Sequence, residues 1–84
     1  MKEFHMTTRS PAHLGESLRR RRKLLGWSQE ELARRSGVKQ ENLSAIENGA
    51  PGVRLATLFR ILAALDLEFS VQERRKSEPY IPNT

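Results

Sequence analysis

Side chains able to carry covalent chemistry are scarce in this 84-residue chain. It has no cysteine and a single aspartate, Asp66. The two histidines, His5 and His13, have no further His, Cys or carboxylate motif beside them at ligand spacing, so no metal site is expected. There is no glycine-rich phosphate loop and no Ser/His/acid arrangement, so neither an enzyme nor a bound cofactor is expected. What remains is the chemistry of recognition. Gln40 carries an amide that can be bidentate to an adenine edge, Lys39 can reach a guanine edge or a phosphate, and Glu41 can accept from a cytosine amino group. Gln29, Ser44, Asn48 and Arg54 add polar groups that can approach a phosphate backbone. Lys and Arg total 15 against 10 Asp and Glu, a net charge of +5. That balance points to a polyanionic partner, nucleic acid before a membrane surface.

Helices must position these groups. Ser10-Pro11 is an N-cap followed by proline at the first helical position. Leu14, Leu18 and Leu25 then recur at helical spacing, which predicts a first helix to about Leu25, ended by Gly26. Ser28-Gln29-Glu30-Glu31 is a capping box opening a short second helix that Ser36-Gly37 stops. Val38 begins a third segment with Leu43 and Ile46 on one face, closed by Asn48-Gly49. After the turn Ala50-Pro51-Gly52, the residues Leu55, Leu58, Phe59, Leu62 and Leu65 make the strongest helical stripe in the chain. Trp27 reads as a packing anchor between the first two helices rather than a base-stacking platform.

Past Asp66 the apolar period falls from 3.6 to 2. Leu67, Phe69 and Val71 alternate with Glu68, Ser70 and Gln72, which predicts one strand. A lone strand cannot satisfy its own ladder groups. A second copy of the chain is the simplest partner, with Phe69 and Val71 in the dimer contact; the N-terminal leader is the other source. Residues 1–9 are expected to be a poorly ordered leader, residues 10–72 the folded domain and residues 73–84 a flexible tail. In that tail Tyr80 and Ile81 lie between two prolines, either a peptide anchor or an end with no role. No run approaches twenty apolar residues, so no membrane span is expected, and the lack of cysteine fits a reducing cytoplasm.

Residues 29–49 form one unit: a short helix with Leu32 and Ala33, a tight turn at Gly37, and a second helix with Leu43 and Ile46 inward. Ala33 is small enough for two helices to cross closely, and Gly37 accepts a positive φ without steric cost. This is the pattern of a helix-turn-helix, whose second helix enters the major groove by its N-terminal end.

The words Leu25-Gly26-Trp27-Ser28-Gln29-Glu30-Glu31-Leu32-Ala33, Gly37-Val38-Lys39-Gln40 and Ile46-Glu47-Asn48-Gly49 resemble the lambda-repressor-like, or Xre-type, DNA-binding family. A closer resemblance, to the HipB-type antitoxins of type II toxin–antitoxin systems, runs from Ser10 to Gln72 and includes Leu65-Asp66-Leu67-Glu68. It implies an all-α four-helix domain with a C-terminal strand paired across a homodimer, a palindromic operator in double-stranded DNA, and a HipA-like kinase toxin as partner. In the resembled family the positions of Lys39 and Gln40 contact DNA. The family's best-known member ends in a tryptophan that this tail lacks.

Arg19-Arg20-Arg21-Arg22-Lys23 looks like a nucleic-acid signature, but five consecutive helical residues point in all directions. Arg22 falls on the stripe of Leu14, Leu18 and Leu25, and a buried guanidinium needs a partner. Glu47 lies on the inward side of its helix, and the resembled family pairs these two positions, so both are assigned a structural ion pair. The other four basic residues read mostly as solvated face. Glu41 fits equally well as an acid favoured by the helix dipole. The expected function is a dimeric DNA-binding repressor and antitoxin. The alternatives are a stand-alone Xre-type regulator and a protein-interaction module on the same scaffold.

Overall fold

The Ser10 hydroxyl accepts from the His13 backbone N–H at 3.1 Å, and Pro11, with no N–H to lose, follows it into the first turn. From this cap the computed structural model, which describes residues 4–74, winds a first helix, α1, over Pro11–Leu24. Three further helices follow: α2 over Gln29–Ser36, α3 over Gln40–Glu47 and α4 over Leu55–Ala64. Ser28 caps α2 by accepting from the Glu31 N–H at 3.0 Å. Only this half of the capping box forms, because the Glu31 carboxylate is taken by Arg34 and Arg35 one turn further on. Two guanidinium groups at i+3 and i+4 attract a carboxylate more strongly than one backbone amide does.

Gly37 leaves α2 in the left-handed region, φ 74°, ψ 15°, and turns the chain into Val38, which is buried. Helix α1 packs on α3, and α2 packs on both α3 and α4. The core takes Leu18 from α1, Leu32 from α2, Leu43 and Ile46 from α3, and Leu58, Ile61 and Leu62 from α4, with Val38 and Leu65. Each such side chain contributes roughly 1.5–3 kcal/mol by leaving water. Trp27 and Ala33 are half-buried against this cluster. The tightest helix approach, however, lies at Gly15, where a Cβ would stand 2.4 Å from the Ile46 carbonyl oxygen and 2.7 Å from that of Glu47.

Two stripes differ from expectation. Leu25 is not inward: α1 stops at Leu24, Leu25 is its C-cap, and the side chain is exposed. On α4 the buried stripe is Leu58, Ile61 and Leu62, continued by Leu65, while Leu55 and Phe59 point outward at 66% and 53% exposure. Phe59 meets Phe69 edge to face, with ring centroids 5.5 Å apart. Among the described residues no strand is assigned; residues 67–72 follow α4 without regular structure in the single chain. Their pairing with a second copy belongs to the proposal below. Tyr80, Ile81 and most of the expected tail, like residues 1–3, lie outside the described residues. Among those described, no helix is long and apolar enough to cross a membrane.

Candidate nucleic-acid interface

Helix α3 begins at Gln40 after Lys39, whose extended backbone makes it the N-cap although its side chain caps nothing. The long Lys39 side chain is therefore exposed beside Gln40 and Glu41, which are also exposed. Ser44, one turn on, is half-buried. These four side chains come together on and beside the first turns of α3. Glu41 sits in the first turn, where the positive end of the helix dipole favours an acid. Arg54, exposed, is the N-cap residue of α4, and no contact joins it to the others.

A second group forms around Glu47, at the far end of α3 and only 4% exposed. Arg22 donates from Nε to Glu47 Oε2 at 2.7 Å and from Nη2 to Oε1 at 3.0 Å. Its Nη1 donates to the Trp27 carbonyl at 2.8 Å, so one guanidinium ties α1 to the α1–α2 link and to α3. Gln29, the first residue of α2, donates from Nε2 to the same Glu47 Oε1 at 3.0 Å. Among the described residues no buried side-chain polar atom lacks a partner. Burial pushes the Glu47 carboxyl up, but the hydrogen bonds from Arg22 and Gln29, with the charges of Arg22 and Arg19, outweigh it and hold the group below its ordinary range. The Arg22 guanidinium is raised in turn, chiefly by its bond to Glu47.

Sequence reasoning placed Arg19 with the solvated basic face. Instead its Nε lies 3.5 Å from Glu47 Oε1 and its Nη2 donates to Asn48 Oδ1 at 2.9 Å. The signal was available: Arg19 precedes Arg22 by three, so a helix brings both to one side. Arg21 also has partners, donating from Nε to the Leu65 carbonyl at 2.9 Å and standing 5.5 Å over the Phe4 ring. The basic run thus divides by helical position, and Arg20 and Lys23 are its exposed members.

Two short helices joined at a left-handed glycine, with the second presenting its polar first turn to solvent, define a helix-turn-helix domain. A family model described as Helix-turn-helix matches residues 18–72. The chain is 34% identical over 70 residues to Antitoxin HipB of Escherichia coli (strain K12), covering 83% of this chain and 80% of that protein. The fold superposes on a HipB–O4 20mer complex with a TM-score of 0.78 at 32% identity, covering 84% of this chain and all (100%) of that one. Against a HipA–HipB–O2–O3 complex the TM-score is 0.77 at 32% identity, with the same coverages, 84% and 100%. The chain belongs to the Xre-type helix-turn-helix family that includes the HipB antitoxins.

Proposed function

We propose that this chain is a sequence-specific transcriptional repressor that binds a palindromic operator as a homodimer, and that it is the antitoxin of a HipA-like kinase toxin whose operon it autoregulates. The observation that carries the reading is the solvent-facing first turn of α3, with Lys39, Gln40 and Glu41 exposed on a helix anchored by Leu43, Ile46 and Glu47 in the core. A rigid helix with a free polar N-terminal turn is the geometry that reads base edges. Gln40 would be bidentate to an adenine, Lys39 would reach a guanine or a phosphate, and Glu41 would accept from a cytosine amino group. Ser44 would approach backbone or base from the next turn. Gln29, at the start of α2, Asn48 and Arg54 would fix the register through phosphates.

A dimer would present two such helices about 34–36 Å apart, one turn of duplex, or at a multiple of that spacing. Phe69 and Val71 would lie in its contact. The toxin half of the proposal draws support from the similarity to the HipA–HipB–O2–O3 complex. Such a regulator would act in the cytoplasm, at the nucleoid.

The test is fluorescence anisotropy with a duplex from the chain's own upstream region and a scrambled duplex of equal length. Gln40→Ala should narrow the preference between them by roughly 1–3 kcal/mol, whereas Arg20→Ala should weaken both alike. A uniform loss for Gln40→Ala overturns the base-reading role. Co-purification with a kinase-like product of an adjacent gene tests the antitoxin role separately.

A further inference from the structure

The region around Glu47 holds more than an ion pair between helices. Three donors from three places in the chain converge on one oxygen, Glu47 Oε1: Arg22 Nη2 at 3.0 Å, Gln29 Nε2 at 3.0 Å and Arg19 Nε at 3.5 Å. Arg22 is buried with its carboxylate, but Arg19 and Gln29 are only partly covered, with the Arg19 side chain at 33% exposure. Arg19 then reaches on to Asn48, an exposed residue just past α3.

The direction of these bonds matters more than their number. An amide side chain has an acceptor end and a donor end. Asn48 uses its Oδ1 to accept from Arg19, which leaves the two hydrogens of Nδ2 to solvent. Gln29 spends one hydrogen of Nε2 on Glu47 and keeps the other. Arg19 engages Nε and Nη2, so Nη1 keeps both of its hydrogens. The buried carboxylate thus takes the inner bonds and leaves the outer edge lined with donors from Arg19, Gln29 and Asn48. An outer edge of donors, with a positive guanidinium among them, is complementary to phosphate oxygens and not to a cation or an apolar group.

We propose that Arg19 is a phosphate-contacting residue of the DNA-backbone site and the positioning residue that turns the Asn48 amide so that its donor end faces the duplex. Glu47 holds Arg19 and Gln29 in register for that contact. The inference rests on the DNA-binding reading above and adds a residue and an orientation to it.

Anisotropy titrations of the full chain on the upstream duplex and on a scrambled duplex, at several salt concentrations, test both statements. Arg19→Ala should weaken binding to both duplexes about tenfold, the scale of one lost charge-assisted contact. It should also flatten the slope of log affinity against log salt by about 0.9, one phosphate fewer. Arg19→Lys should restore the slope, since the charge returns. Lys23→Ala, on the same helix but tied to nothing in this network, is the comparison for a mere change in field. Asn48→Asp separates orientation from packing: aspartate keeps, and strengthens, the bond to Arg19, yet it turns an oxygen toward the phosphate where the amide turned a donor. It should therefore bind DNA more weakly than Asn48→Ala while melting no lower. Thermal melts by circular dichroism show that each variant is folded.

If Arg19→Ala loses no more affinity or slope than Lys23→Ala, the contact is overturned. Should Asn48→Asp bind as well as wild type, the orientation is overturned while the contact stands. Wild-type protein binding neither duplex would remove the DNA reading itself, and this inference with it.

Discussion

Arg22 and Glu47 join α1 to α3 by a forked contact in which one guanidinium reaches both oxygens of one carboxylate, at 2.7 and 3.0 Å. Both residues are buried, at 8% and 4% exposure. Replacing either one alone strands the other charge in the core. Glu47→Gln or Arg22→Met should therefore cost about 3–5 kcal/mol, whereas the double replacement Arg22→Met with Glu47→Leu should recover much of the loss. Urea unfolding followed by circular dichroism measures all three. A double variant no more stable than the singles would show that the pair is not the source of the loss.

The same carboxylate makes stability depend on acid. Its folded value lies below the ordinary 4.5, so the stabilisation is complete above that value and is lost as pH falls through the lower, folded one. The melting temperature should be level from neutrality to about pH 5 and fall below it. Glu31 shifts in the same direction through Arg35 and Arg34, but that cluster is on the surface. About 0.5 M salt should screen the Glu31 share and leave the Glu47 share. Melts of wild type and Glu47→Gln at two salt concentrations separate them, and an acid limb that salt abolishes entirely would assign it to the surface.

Gly15 allows α1 to lie against the end of α3. A methyl group there would meet the carbonyl oxygens of Ile46 and Glu47 well inside contact distance, and both are backbone atoms that no rotamer change can move. Gly15→Ala gains helix propensity but must push the helices apart, with a net loss of about 1–3 kcal/mol. A lower urea midpoint with an unchanged slope checks it.

These cases show what the chain discloses before it folds. Signals confined to a few neighbouring residues were legible: Ser10-Pro11, Ser28 and Gly37 begin and end helices where their local chemistry requires. The inward position of Arg22 was legible too, because a helical stripe names a face. Leu25 misled because periodicity does not reveal where a helix stops. Leu55 and Phe59 misled because α4 is apolar on two faces, and only packing decides which one the core takes. Gly15 was silent because a close approach depends on a residue far along the chain. The network of Arg19 with Asn48 spans 29 residues, and of it only the i, i+3 relation to Arg22 was visible in advance.

Asp66 carries a conformational cost at the end of α4. It has φ 58°, the one positive value among the described non-glycine residues, in the position where helices most often place glycine. Asp66→Gly should remove that strain and, despite the freer unfolded chain, stabilise by up to about 1 kcal/mol; Asp66→Val should destabilise by more than that. The ordering Gly above Asp above Val in thermal melts is the check.

Val71 offers the cleanest probe of the proposed dimer. It is 99% exposed in the single chain, so its replacement has nothing in the monomer to disrupt. Nearby, Phe69 is 42% exposed, rests on Phe59 and continues the outward apolar face with Leu55, so a change at Phe69 would mix intrachain packing with assembly. Val71→Lys should leave the stability of an isolated chain within about 0.5 kcal/mol of wild type. In a dimer it would bring two like charges to an apolar strand contact, and sedimentation should show the assembly shifted to monomer. With the two half-sites no longer read by one linked pair, affinity for a palindromic duplex should fall by roughly 10²–10⁴-fold. Affinity for a single half-site should hold. A Val71→Lys variant that remains a dimer at micromolar concentration would move the interface to the face of Leu55 and Phe59.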